Sequence, residues 1–85
     1  MISDVAIVVL TYNARAHIDA CLNAALAQTR LTRVIVADNG SNDGTVAHVR
    51  EAWPSVELLE FGTNLGFAGG YNRALAALDA EWLAL

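Results

Sequence analysis

The sequence has no lysine, a single cysteine, a single proline and only 7% aromatic residues. Each shortage excludes something. Without lysine there is no Walker-type phosphate loop, no Schiff-base nucleophile and no anchor for a pyridoxal cofactor. Cys21 has no partner for a disulfide within the chain, which excludes the stapled scaffold of many small secreted domains. Five basic residues, all arginine, against nine acidic ones leave a net charge of -4. That balance excludes the clustered cations that grip nucleic-acid phosphates. Long apolar runs are missing too. The longest, Val5 to Leu10, falls far short of the roughly 20 residues of a membrane-spanning helix. No basic stretch leads into a long apolar core, so a secretory signal is not indicated. A cytoplasmic location is the expectation, with peripheral attachment to the inner face of a membrane left open.

What is present is a chain of 85 residues that is 55% apolar and rich in valine, isoleucine and leucine. Such a composition is that of a folded segment, not a disordered one. The length allows one small domain, burying about 60–65% of its unfolded surface. Val5-Ala6-Ile7-Val8-Val9-Leu10 is short, continuous and β-branched, the pattern of a strand covered on both faces. Ile18, Cys21, Leu22, Ala25 and Leu26 then fall on one helical face, with Asn13 as the expected N-cap. Val34 to Ala37 repeats the buried-strand pattern and runs into the turn-rich Asp38 to Gly44. Val46, Val49 and Trp53 mark a second helix that Pro54 stops, and Val56 to Phe61 reads as a third strand. Phe67, Tyr71, Ala74, Leu75 and Leu78 predict a third amphipathic helix, and Trp82 to Leu85 a fourth strand. Alternation of this kind predicts an α/β fold: three layers, a mainly parallel sheet, right-handed crossovers and helices on both faces. A chain that stops in an apolar strand reads as the first half of a larger fold, so residues 1–85 are expected to be part of one domain.

In open α/β sheets ligands sit at the carboxyl ends of the strands. Three segments fall there: Thr11-Tyr12-Asn13, Asp38 to Gly44, and Asn64 to Gly70. The first has no glycine, so the dinucleotide-binding fingerprint is absent. Asn39, Ser41 and Asp43 imitate the start of a calcium loop, but Arg50 stands where its bidentate glutamate belongs. His17 and His48 lie off the apolar stripes and read as ordinary solvent-facing side chains, Cys21 as a small buried hydrophobe, and Trp53 and Trp82 as core or edge anchors.

Val8-Val9-Leu10-Thr11-Tyr12-Asn13, then Val36 to Thr45, then Asn64 to Leu75 resemble three successive signatures of family 2 glycosyltransferases, most like the rhamnosyltransferase branch. The resemblance implies the Rossmann-like first half of a GT-A fold with strand order 3-2-1-4. It implies an inverting transfer of a sugar from a UDP- or dTDP-sugar donor to a glycan or lipid-linked acceptor in cell-wall or polysaccharide biosynthesis. By the same resemblance Thr11, Tyr12 and Asn13 lie beside the donor nucleobase, and Asp38 and Asn39 offer acceptors to a pyrimidine N3–H. Gly66 and Gly70 let backbone approach the ligand, while Asn72 and Arg73 reach the nucleotide from one turn inside the third helix.

Structural alternatives stand beside these roles. Asp38 would end a strand, Asp43 or Ser41 cap a helix, the glycines serve turns and helix–sheet packing, and Arg73 sit in solvent. The resemblance further implies a divalent cation, Mg²⁺ or Mn²⁺, held by an Asp-x-Asp-like motif beyond residue 85, and a catalytic base further on. No catalytic or metal-binding residue is therefore expected within these 85. Self-association through an uncovered last strand is expected as well. The alternatives to an enzyme are a non-catalytic nucleotide-binding module or inactive remnant, and an unrelated doubly wound domain.

Overall fold

A computed structural model describes residues 5–28, 33–77 and 81–84. The elements follow in the order β1 (Val5–Thr11), α1 (Ile18–Gln28), β2 (Arg33–Asp38), α2 (Thr45–Ala52), β3 (Glu57–Glu60), α3 (Gly66–Ala77) and β4 (Glu81–Ala84). All strand pairs are parallel and the sheet order is β3-β2-β1-β4, the order the family resemblance implies. Register pairs Val8 with Ile35 and Thr11 with Asp38, so β1 and β2 end side by side.

The order explains the layers. Two right-handed crossovers in one direction, β1 to β2 and β2 to β3, place α1 and α2 on one face of the sheet. The crossover to β4 reverses direction and places α3 on the other. Packing agrees. Ile7 and Val9 of β1 and Val34 and Val36 of β2 meet Ile18, Leu22 and Ala25 of α1 and Val49 of α2. Val8 and Leu10, pointing the opposite way from a period of two, meet Ala74 and Tyr71 of α3 along with Ala37, Leu59 and Phe61. Both faces of β1 and β2 are thus covered, which is why these strands read as unbroken apolar runs.

Three local expectations need correction. Asn13 does not cap α1: its backbone is left-handed, with φ 51°, and its side chain accepts a bond from the Asn42 N–H instead. The chain turns at Ala14, whose carbonyl accepts from the N–H groups of both His17 and Ile18 before α1 begins. On α3 the apolar stripe is misplaced. Gly70 and Ala74 are buried, Tyr71 is half-buried, and Phe67 and Leu75 are exposed. A hydropathy pattern cannot see why: Gly70 lets the helix ride so close that a Cβ there would lie 2.7 Å from Leu10 Cδ1 and 3.0 Å from Asn39 Nδ2. His48, expected in open solvent like the exposed His17, is half-buried and pairs with Asp19 at 2.7 Å.

Other expectations hold. Trp53 is an edge anchor: it packs on the α1–α2 core and donates its indole N–H to Asp19 at 2.8 Å. Cys21 packs on the same core, half-buried. Leu78, Leu85 and the side chain of Trp82 lie outside the described residues.

Candidate functional site

The three loops at the carboxyl ends of β1, β2 and β3 form one rim, and they are tied to each other. Asp38, only 2% exposed, is the hub of the second loop. Its carboxylate accepts from the Thr11 hydroxyl (2.9 Å), the Ser41 hydroxyl (2.6 Å), and the Gly40 and Ser41 backbone N–H groups (3.1 and 2.8 Å). Four donors fill nearly all the acceptor positions of a carboxylate, which repays the cost of burying it. Ser41 Oγ in turn accepts the Asn13 N–H at 2.7 Å. Asp43 accepts the Arg15 N–H at 3.0 Å and, one residue before the Gly44 N-cap, holds the start of α2 through the Thr45 N–H at 3.1 Å and the Thr45 hydroxyl at 2.5 Å. Its carboxyl is held below the usual carboxylate range, chiefly by the Thr45 hydroxyl and further by the backbone N–H groups of Arg15 and Thr45.

Asn39 is buried and spans from the second loop to the third. Its Oδ1 accepts the Leu65 N–H at 3.0 Å and its Nδ2 donates to the Gly66 carbonyl at 3.1 Å. The side-chain amide supplies the acceptor and the donor from one rigid plane. A second amide, Asn64, accepts the Gly66 N–H at 2.7 Å, so the residues just before Phe67 are pinned from both sides. Gly40 has φ +85°, and a Cβ there would meet the Thr63 backbone at 2.8 Å, so the second and third loops touch main chain to main chain.

Between these loops lies a pocket of about 300 Å³, lined by Leu10, Thr11, Tyr12, Asn39, Asn64, Gly66 and Phe67. Its volume lies at the small end of ligand sites. Four residues expected at a binding site line it: Thr11, Tyr12, Asn39 and Gly66. The structure places the others elsewhere. Asp38 is buried and bonded to the lining residue Thr11, Asn13 is exposed and bonded to Ser41, and Gly70 is buried where α3 meets Leu10. Asn72 is exposed on α3, and the Arg73 guanidinium lies 5.7 Å from the Phe61 ring centre, a cation–π distance. Three further lining residues, Leu10, Asn64 and Phe67, are not among the expected contacts. Leu10 reads as strand core and Phe67 as part of an apolar helix stripe, and Asn64 lies in the third loop with no signal that singles it out. Among the described residues no group of His, Cys, Asp and Glu is placed to hold a metal ion. No helix among them is long and apolar enough to cross a membrane.

The model of glycosyl transferase family 2 matches residues 6–85, almost the whole chain. The chain belongs to that family. Among its relatives is an N-acetylglucosaminyl-diphospho-decaprenol L-rhamnosyltransferase of Mycobacterium tuberculosis, 40% identical over 73 residues, which cover 85% of this chain and 24% of the relative. The succinoglycan biosynthesis protein ExoO of Rhizobium meliloti is 35% identical, covering 99% of this chain and 25% of that protein. Among solved structures, the mannosyltransferase PcManGT of Pyrobaculum calidifontis, in complex with GDP-Man and Mn²⁺, superposes with a TM-score of 0.76 at 31% identity. It matches 89% of this chain, which spans 24% of that one. The family 2 chain thus has the GT-A type of α/β/α fold and spans about a quarter of the length of these relatives.

Proposed function

We propose that this family 2 chain supplies the nucleotide-binding part of an inverting glycosyltransferase. The whole enzyme would transfer a sugar from a UDP- or dTDP-type donor to a glycan or lipid-linked acceptor in cell-wall or polysaccharide synthesis. The observation that carries the proposal is the pocket where the β1, β2 and β3 loops meet, lined by an exposed tyrosine, Tyr12, and a buried amide, Asn39. The activity of the rhamnosyltransferase relative, on a decaprenol-linked acceptor, and the nucleotide-sugar in the mannosyltransferase neighbour support it. In this reading Thr11, Tyr12, Asn39 and Gly66 touch the donor, while Asp38, Asn13 and Gly70 keep the pocket in shape. Asn72 and Arg73 serve a part of the donor that extends past the pocket. Among the described residues the lining carries no carboxylate, histidine or cysteine, so these residues bind and orient. The base that deprotonates the acceptor, and the ligands of a divalent cation that neutralises the leaving diphosphate, are proposed to lie beyond residue 85.

Calorimetric titration with UDP, dTDP and GDP tests the binding half of the proposal. UDP or dTDP is expected to bind best; tighter binding of GDP would reassign the base. Tyr12→Ala is expected to weaken binding about 5–100-fold, given the roughly 1–3 kcal/mol that base–aromatic stacking contributes. Tyr12→Phe is expected to change it little. Arg50→Ala, on exposed α2 surface and paired only with Glu60 at the surface, is the control. The missing acid–base groups in the lining also favour a second reading, a nucleotide-binding module without catalysis. Nucleoside diphosphate release from a donor panel with Mg²⁺ or Mn²⁺ separates the two: no turnover is expected from residues 1–85, and turnover is expected when the rest of an enzyme is attached.

A further inference from the structure

Phe67 is the most exposed large apolar side chain among those described, at 76%. The fold does not need it there. The positions of α3 that face the sheet are taken by Gly70 and Ala74. Its one ring contact is an edge-on approach to Tyr71, 4.9 Å between centroids at 84°, which leaves most of the ring in water. Yet the residue is held firmly. It follows directly on Leu65 and Gly66, whose backbone groups are bonded to Asn39 and Asn64. An apolar ring kept in water on a pinned backbone suits a preorganised binding surface. Phe67 also lines the same pocket as Tyr12, which is 49% exposed. The two aromatics come from different loops, the end of β1 and the start of α3, and among the described residues they are the only aromatic side chains of that lining.

We infer that Phe67 is a substrate-binding residue that forms the second aromatic wall of the nucleobase slot, opposite or beside Tyr12, on a backbone that Asn39 fixes at Leu65 and Gly66. The inference rests on the nucleotide reading above and names the part of the donor that this wall takes: a flat, conjugated ring. Two aromatic walls gain affinity from any base with a π-face, so they set how tightly the base is held. The amide groups between them supply the polar edge that orients it.

The experiment compares the protein with Phe67→Ala, Phe67→Leu, Phe67→Trp and Tyr12→Ala. UDP binding is measured by calorimetry and the uracil H5 and H6 shifts of bound UDP by NMR. Folding is checked by circular dichroism, and Phe67→Leu keeps apolar bulk should the alanine variant fail to fold. Phe67→Ala and Phe67→Leu are each expected to weaken UDP binding about 5–20-fold, the stacking contribution of one aromatic face. Phe67→Trp is expected to keep or tighten it. The uracil protons are expected to lose upfield shift in Phe67→Leu. Full affinity and unchanged uracil shifts in Phe67→Leu, with Tyr12→Ala still weakened, would overturn the role of Phe67 and leave the nucleotide reading standing. Absence of UDP, dTDP and GDP binding to the unsubstituted protein would overturn both.

Discussion

Asn39 shows how much one side chain can decide at this rim. The residue type at position 39 is set by its neighbours: a backbone N–H on one side and a backbone carbonyl on the other. Asn39→Asp is expected to lose the bond to Gly66 and to place a carboxylate against that carbonyl oxygen. The cost is about 1–3 kcal/mol, since a buried polar pair is broken and one acceptor is left without a donor. Urea unfolding gives the magnitude, and faster amide exchange at Leu65 and Gly66 localises it to the third loop. An unchanged midpoint would show that the amide strut contributes nothing. The sequence revealed the position of Asn39 but not its task. Its place at the end of a buried strand was legible, whereas its partners sit 26 and 27 residues away and appear only when the chain is folded. Asp38 has the same history: as a sequence symbol it is a free acceptor, and in the fold it has spent its lone pairs on Thr11, Ser41 and Gly40.

Among the elements, α1 and α2 lie side by side and are joined at their outer edge by Asp19. Its Oδ1 accepts from the Trp53 indole and from the His48 ring, and its other oxygen lies 4.0 Å from Arg15. The Trp53 and His48 bonds, in that order, hold the Asp19 carboxyl below its ordinary value of 3.8. Asp43, which ties the α2 cap to the backbone of Arg15, is held down as well. A depressed carboxyl pKa stabilises the fold fully above the unfolded value, and that contribution drains away as pH falls through the lower, folded value. The protein is therefore expected to lose stability as pH drops below about 4, and Asp19→Asn to flatten that limb while changing neutral-pH stability less. Thermal midpoints between pH 2.5 and 7 in both proteins measure it; parallel curves would remove Asp19 from the acid response. Strand and helix order, sheet direction and the α1 stripe were all legible because burial imposes a period on apolar residues. The α3 stripe was not, because a glycine that brings two backbones together adds nothing to a hydropathy pattern.

For the molecule as a whole, β4 is an edge. It pairs with β1 and with no other described strand, as β3 pairs with β2 at the far side. An edge strand offers a row of unpaired backbone groups that template pairing with another chain. Light scattering over a concentration series is expected to show residues 1–85 associating, with the larger species dissociating on dilution; a monomer at every concentration would overturn the expectation. The parallel sheet with helices on both faces was legible from alternation and crossover handedness, whereas the order β3-β2-β1-β4 came with the family resemblance. The pocket was not legible, because its walls come from three loops whose contacts no local pattern encodes. Those contacts have a practical consequence. Asn13 binds Ser41 and Asn42, Arg15 binds Asp43, and Asn39 binds Leu65 and Gly66, so the three loops form a single interlocked part. Transplanting one of them into a relative to swap donor preference would leave its bonding partners behind and spoil the recipient's own. A graft has to carry all three loops together, as one cassette cut from the ends of three strands.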